Sequence, residues 1–579
     1  MTRPGARSQA PSPEPSASGG DAHDWVSRTA DQVIARVDRQ SPGKVIVCAS
    51  GISPSGRIHL GNLREMMVPH FVADEIRRRG RECRHILSWD DYDRLRRVPI
   101  GVPAGFEEHV GRPLSSVPDP WGAYPNWAER YKAPLREALA ALGVEIIEIS
   151  QTQMYMSGAY TPQIIAAIEE RRRIDSIISR YRTKKPGADA LAESPDGSDD
   201  ESGGDGGEYF PYKAYCANCG RDTTDPTGYD PARKRVDYAC RTCGHRGGVD
   251  IEADNHGKLV WKVDWPMRWA YEGVDFEPAG VDHATPGSSF TVGTQLVSEV
   301  FGGEPPFYFG YSFVGIKGMA KMSSSSGGVP IPSDALEVLE APILRWLYVR
   351  RRPNQSFTID LGAEVVRLYD EWDRLGSRVS AGTTQPGDLL MHSRSTRTSL
   401  GRLREPETVV PFRMLSSVVD VTAGDDDQIE RLLGTMGVLA GDLSAVEPRL
   451  SLARNWINGY VPEQDRTHVR DEPDVETLRG LTGEDRACLD LLLERLGDDW
   501  TLAGLTRLIY GVPKLVHGFE LDDPPDAATR ASQKRFFRLL YRLLISAERG
   551  PRLPTLLMAL GQNRTRSLLT IPGEGATRP

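Results

Sequence analysis

Residues 44–62 read KVIVCASGISPSGRIHLGN. The apolar run from Lys44 to Ser50 predicts a buried strand, and the segment then leads directly into a helical pattern. Gly51 and Gly56 allow a tight turn, and Gly61 lets the helix start lie close to a bound nucleotide. His59 and Asn62 are three residues apart, so they share one helix face if Gly61 opens a helix. The N-terminus of such a helix offers N–H groups to an anion. A strand, a glycine turn and a helix in this order suit a nucleoside triphosphate. Far downstream, residues 321–326 read KMSSSS, in which Lys321 supplies a cation and the serines, Ser323 among them, supply hydroxyl donors. A lysine beside hydroxyls is what a departing pyrophosphate needs.

Working outward, the segments at 83–89 (CRHILSW) and 144–150 (VEIIEIS) predict two further strands. Leu63, Met66, Met67, Phe71 and Ile76 keep helical spacing between the first two. This alternation predicts an α/β fold with a Rossmann-type, doubly wound catalytic domain, with ligands at the carboxyl ends of its strands. Strand-like segments follow at 259–265 and 307–314, and from about 336 the pattern turns helical. The expected organisation is a disordered tail over 1–24, a catalytic domain over 25–335 and a helical region over 336–579. Within the catalytic domain, 186–208 reads as a disordered acidic insertion and 209–250 as a cysteine module.

Composition excludes several classes. With 579 residues, 39% hydrophobic and 26% charged, the chain is long enough for two to four domains. It lacks an uninterrupted apolar stretch of membrane-spanning length, and its start has no apolar signal region, so a cytoplasmic location is expected. The net charge of −9 argues against a broad nucleic-acid surface, but eight acidic side chains with no basic one lie in 187–208 alone. The rest is near neutral, so any RNA contact must come from local patches. Candidates are Arg345 with Arg350, Arg351 and Arg352; Arg394 with Arg397, Arg402 and Arg404; and Lys534 with Arg535 and Arg538.

Cys216 and Cys219 form one C-x-x-C pair, and Cys240 and Cys243 form another. Each pair is followed by glycine, which helps a tight turn aim both thiolates inward. Four thiolates at this spacing predict a closed, structural Zn2+ site, with His245 as an alternative ligand. Cys48, Cys83 and Cys488 are isolated in sequence and read as small buried hydrophobes.

Further motifs make the reading specific. They are WDDYDRLRRVP at 89–99, PDPWG at 118–122, WKVDWPMRW at 261–269 and GVDHATPGSSFTVG at 280–293. EPP at 304–306, YSFVGIKGMAKMSSSS at 311–326, VPFRMLSSVV at 410–419 and ERGPRLPTLLMALG at 548–561 complete the set. In this order they resemble the class I lysyl-tRNA synthetases, with SPSGRIHLGN and KMSSSS in the places of the class signatures HIGH and KMSKS. The resemblance covers nearly all of residues 25–561. It implies a catalytic domain with a zinc-bearing insertion and a helical anticodon-binding domain. It implies ATP with Mg2+, L-lysine and tRNA-Lys as partners; a monomer is the default oligomeric state.

The resemblance also assigns residues. His59, Asn62 and Lys321 would be catalytic. Ser53, Pro54, Gly56, Gly61, Gly280, Asp282 and Ser323 would join them around ATP, with Asp282 accepting from ribose hydroxyls. Gly51, Ser53, Trp261, His283 and Tyr311 would line the lysine pocket, and Glu65 is the candidate carboxylate for the ε-ammonium. Ser324 and Ser326 stand where the family often carries a second signature lysine, leaving Lys321, with Lys317 nearby, as the loop's charge. Three other readings share parts of the pattern. A glutamyl-type synthetase would need a basic pocket. A small-molecule nucleotidyltransferase would not need so long a helical region. A non-charging tRNA-binding paralogue would not need the catalytic residues.

Overall fold

The computed structural model describes residues 24–181, 208–284, 288–318 and 328–572, the side chains at 282 and 284 excepted. Residues 1–23, most of the acidic insertion and the loop that carries Lys321 and Ser323 therefore lie outside the described residues. Asp24, assigned to the tail from sequence, is ordered: its carboxylate accepts from Ser27 N–H at 2.8 Å and caps helix α1 (Trp25–Gln40).

Five parallel strands carry the first half of the chain: β1 (Ile46–Ile52), β2 (Cys83–Trp89), β3 (Ile147–Ser150), β4 (Ala279–Gly280) and β5 (Gly310–Tyr311). β1 pairs with β2 from Ile46↔Cys83 to Ile52↔Trp89, and β2 pairs with β3. On the other side of β1, Phe276 bridges both Cys48 and Phe307, and β4 pairs with β5 through Tyr311↔Gly280. The spatial order is β3-β2-β1-β4-β5. The chain moves outward to β3 and returns to the far side of β1. That reversal opens a crevice at the carboxyl ends of β1 and β4, the place where open parallel sheets bind ligands.

Helix α2 (Leu60–Arg78) joins β1 to β2 and buries Leu63, Met66, Met67, Phe71 and Ile76, the residues whose spacing predicted it. Helix α3 (Trp127–Ala141) precedes β3. The segment expected to be a strand at 259–265 is corrected: a strand ends at Leu259 and helix α4 (Trp261–Glu272) begins at once. Local composition favours a strand there, but Trp261, Trp265 and Trp269 recur every fourth residue. That is a helical period, and it buries two of the three rings against the sheet. The 307–314 segment resolves into β5 and a separate short strand, Val314–Ile316, which pairs in parallel with Phe357–Ile359.

Beyond Pro332 the chain is almost entirely helical. One continuous apolar core runs from Trp25 to Ile571 and joins these helices to α1 and α2. This packing corrects two of the basic patches. Arg345 is 0% exposed and Arg394 2%, so neither offers charge to RNA. Arg345 donates to the Leu142 and Arg394 carbonyls, and Arg394 is enclosed by Asp24 and Glu75. In the third patch Arg535 is spent on Glu484 and Asp485. Arg351, Arg352, Arg397, Arg402, Arg404, Lys534 and Arg538 remain exposed.

Candidate active site

The turn after β1 ends in a reciprocal cap on α2. His59 Nδ1 accepts from the Asn62 backbone N–H at 3.3 Å, and Asn62 Oδ1 accepts from the His59 N–H at 3.2 Å. This arrangement fixes the polarity of both side chains. Burial pushes the His59 imidazole down to about 4, so it is neutral near pH 7. With Nδ1 acting as an acceptor, the ring proton sits on Nε2. The Asn62 oxygen is likewise committed, so its NH2 is the free end. Two donors, Nε2–H and Nδ2–H, are left beside a helix N-terminus, a combination that suits a polyphosphate. The helix start is also anchored: Leu60 N–H donates to the Pro330 carbonyl at 3.0 Å, just past the undescribed 319–327 loop. The Tyr348 hydroxyl donates to the Leu60 carbonyl at 2.6 Å.

Beside this cap, the ends of β1 and β2 meet a buried charge network. Gly51 lies opposite Ser88, and Asp90 N–H donates to the Ile52 carbonyl at 3.0 Å. From α4, Arg268 reaches Asp90 at 2.6 Å, Ser88 Oγ at 3.3 Å, and Asp264. Lys258 pairs with Asp93 and sits 3.5 Å from Asp264, which also accepts from the Tyr155 hydroxyl at 2.6 Å. Burial raises the Asp90 carboxyl, and Arg268 opposes that rise. Three carboxylates here face two cations.

An aromatic wall stands next to the network. Trp261 stacks on Trp265 at 5.2 Å and 16°, and Trp265 meets the His283 ring edge-on at 5.6 Å. The Arg268 guanidinium lies 5.7 Å from the Trp261 ring centre. Trp261 Nε1 and His283 Nδ1 are both buried without a hydrogen-bond partner among the described residues. Buried polar atoms are usually satisfied, so this pair marks a place where a ligand could supply partners.

The cysteine module forms a second centre. The sulfurs of Cys216, Cys219, Cys240 and Cys243 all lie within 4.8 Å of one another, with Cys216–Cys243 at 3.6 Å and Cys219–Cys240 at 3.7 Å. A tetrahedral zinc with Zn–S bonds of about 2.3 Å needs sulfurs about 3.8 Å apart, so the donor set fits. Gly220 and Gly244 both adopt φ 72°, and each returns its N–H to the first cysteine carbonyl of its pair, at 2.7 and 3.0 Å. His245 stands outside the cluster.

Comparison with known proteins gives the family. A family model for tRNA synthetases class I (K) matches residues 23–397. The chain is 53% identical to a lysine–tRNA ligase of Streptomyces coelicolor over 94% of this chain and 98% of the other. It is 35% identical to a lysine–tRNA ligase of Pyrococcus horikoshii over 95% and 99% of the two chains. It is 31% identical to one of Treponema pallidum over 94% and 98%. The chain belongs to the class I lysyl-tRNA synthetases. The class I synthetase fold is present here as a mixed α/β half followed by a helical region, with a four-cysteine cluster able to hold a metal ion.

Within this synthetase, most residues singled out from sequence come together at one end of the sheet. Ser53, Pro54, Gly56, His59, Gly61 and Asn62 form the turn and cap after β1. Gly280, His283 and Tyr311 sit on or just after β4 and β5. Trp261 opens α4. A Cβ at Gly51 would make only an ordinary contact, 3.9 Å from the Ser88 carbonyl, so close strand packing does not demand glycine there. Asp282 has no described side chain. Other residues at this end of the sheet were given no role from sequence. Arg268, Asp90 and Asp264 form the network, and Arg64 ties α2 to the Ser312, Arg352 and Gln355 carbonyls. The four-residue spacing of Asp264 and Arg268 in one tryptophan-rich helix was the available signal.

Proposed function

We propose that this synthetase activates L-lysine with ATP at the carboxyl ends of β1 and β4, then transfers it to the terminal adenosine of tRNA-Lys. The observation that carries the reading is the His59–Asn62 cap, which leaves two hydrogen-bond donors beside the α2 N-terminus. The lysine carboxylate is already ionised at pH 7, so its attack on the α-phosphorus needs no general base. Catalysis then rests on positioning and on stabilising the charge that moves to the departing pyrophosphate. His59 Nε2–H and Asn62 Nδ2–H would hold the phosphates, with Ser53, Pro54, Gly56 and Gly61 shaping the turn around them. Lys321 and Ser323 would close over the leaving group, and Asp282 with Gly280 would take the ribose. Mg2+ would accompany the triphosphate.

The lysine side chain would lie along Trp261, with Gly51, Ser53, His283 and Tyr311 around it. The surplus of buried carboxylates beside that wall favours a cationic side chain and disfavours glutamate. The parallel β3-β2-β1-β4-β5 order supports a Rossmann-type catalytic domain, and the helices after 335 are read as the anticodon-binding region. The four cysteines would hold a structural zinc, giving about one zinc per chain in elemental analysis. The deciding experiment is ATP–pyrophosphate exchange with each of the twenty amino acids, with tRNA added. Exchange with lysine alone is expected. Exchange driven by glutamate instead would overturn the reading.

A further inference from the structure

Glu277, in the loop that enters β4, is buried and takes no part in the chemistry above. One of its carboxylate oxygens accepts from Trp265 Nε1 at 3.1 Å, and the other accepts from Trp269 Nε1 at 2.6 Å. Its backbone N–H is used by the Phe307 carbonyl. The two indoles leave α4 one helical turn apart, so one carboxylate locks two rings of the same helix face. Trp265 in turn stacks on Trp261 and meets His283 edge-on. Glu277 is therefore one ring removed from both members of the aromatic wall that lack hydrogen-bond partners.

We infer that Glu277 is a positioning residue for the amino-acid pocket. It fixes the orientation of Trp265, and through that ring it sets Trp261 and His283, and it contributes a negative charge that favours a cationic ligand. This rests on the pocket assignment made under Proposed function. A buried carboxylate held by neutral donors alone is costly, and packing the tryptophans does not require one. A glutamine could accept from one indole, but it would turn an NH2 toward the other, so only a carboxylate serves both.

The charge has a second consequence. Burial pushes the Glu277 carboxyl up to about 7, opposed by the two indole donors and by Arg268, and assisted by Asp90. Those are the charged groups acting on it from α4 and from the end of β2. His283 faces the Trp265 ring edge-on, and Tyr308 stacks on Phe290. A cationic ligand beside the wall favours ionised Glu277, so its carboxyl titrates lower in the lysine complex than in the free enzyme. Lysine affinity is then full above pH 7 and falls as the pH drops through it.

The test uses the full-length enzyme, with saturating ATP and tRNA and with lysine varied from pH 6 to 8.5. The wild type should show a KM for lysine that rises as the pH falls below about 7. Glu277→Gln should raise that KM about tenfold, change kcat much less, and remove its pH dependence. Glu277→Asp keeps the charge, so the pH dependence should persist. If Glu277→Gln does not fold, Trp265→Phe reads the same contact: it should raise the KM at pH 8 with little change in kcat. A wild-type KM that is flat across this range overturns the inference. So does a folded Glu277→Gln with the wild-type profile, or an unchanged KM in Trp265→Phe. Absence of lysine charging by the wild type would instead defeat the functional reading itself.

Discussion

Two buried charge clusters in this synthetase look alike in composition and differ in completeness. Behind the sheet, Arg394 is enclosed by Asp24, Glu75 and Ser27, and all three of its nitrogens donate. Every oxygen of the two carboxylates also has a partner, since the second Glu75 oxygen accepts from Arg79. At the front, the Asp90–Arg268–Asp264 network stands beside Trp261 Nε1, His283 Nδ1 and Arg268 Nε, which are buried without partners among the described residues. The rear cluster completes itself and staples α1, α2 and the helix of Pro386–Thr396 into one body. The front cluster leaves these atoms open beside the proposed lysine pocket. The two clusters thus differ in saturation rather than in burial or charge.

The largest expected effect breaks the rear cluster. Arg394→Leu strands two buried carboxylates and should cost about 3–5 kcal/mol of stability, measured by urea unfolding. The fraction that remains folded should charge tRNA at the normal rate. A large loss of activity per folded molecule would erase the distinction between the two clusters.

The next effect lies at the α2 cap. His59→Ala should lower lysine-dependent exchange at least a hundredfold, about 3 kcal/mol in the transition state. Its cost in stability is that of a lost cap, about 1 kcal/mol. His59→Asn keeps a capping side chain and should recover melting temperature without recovering rate. Recovery of both would show that the histidine is only a cap.

Trp261→Ala should raise the KM for lysine by about thirtyfold, the equivalent of about 2 kcal/mol of desolvated cation–π attraction, with little change in kcat. An unchanged KM would place the aromatic wall outside the pocket.

The remaining effect is a pH dependence of stability. His85 is pushed down to about 3 by burial and by Arg77, and His70 is pushed well below its usual range by burial and by Arg345. Both are neutral in the fold, whereas the unfolded chain binds their protons below about pH 6.5. Their contribution is fully present above that pH and is lost as the pH falls toward the folded values. Each should cost up to about 1.4 kcal/mol per pH unit. Urea unfolding at pH 7 and pH 5 should show the loss, and His85→Gln should reduce it.

Sequence alone determined whatever depends on local spacing. The run CRHILSW became β2 residue for residue, with Cys83, His85, Ile86, Leu87 and Trp89 buried and Arg84 exposed. The paired cysteines converged because each C-x-x-C-G turn closes on its own glycine. The His59–Asn62 pair was legible because a cap and its N3 partner lie three positions apart. Tertiary structure decided the rest. An arginine reads the same in sequence whether it faces water or a carboxylate brought from far along the chain, so Arg345 and Arg394 passed for surface charge. Asp90, the Asp264–Arg268 pair and Glu277 come from three separate segments and acquire a joint role only where the strand order reverses. Their burial, which raises the carboxyls of Asp90 and Glu277, exists only once the sheet and α4 have closed over them.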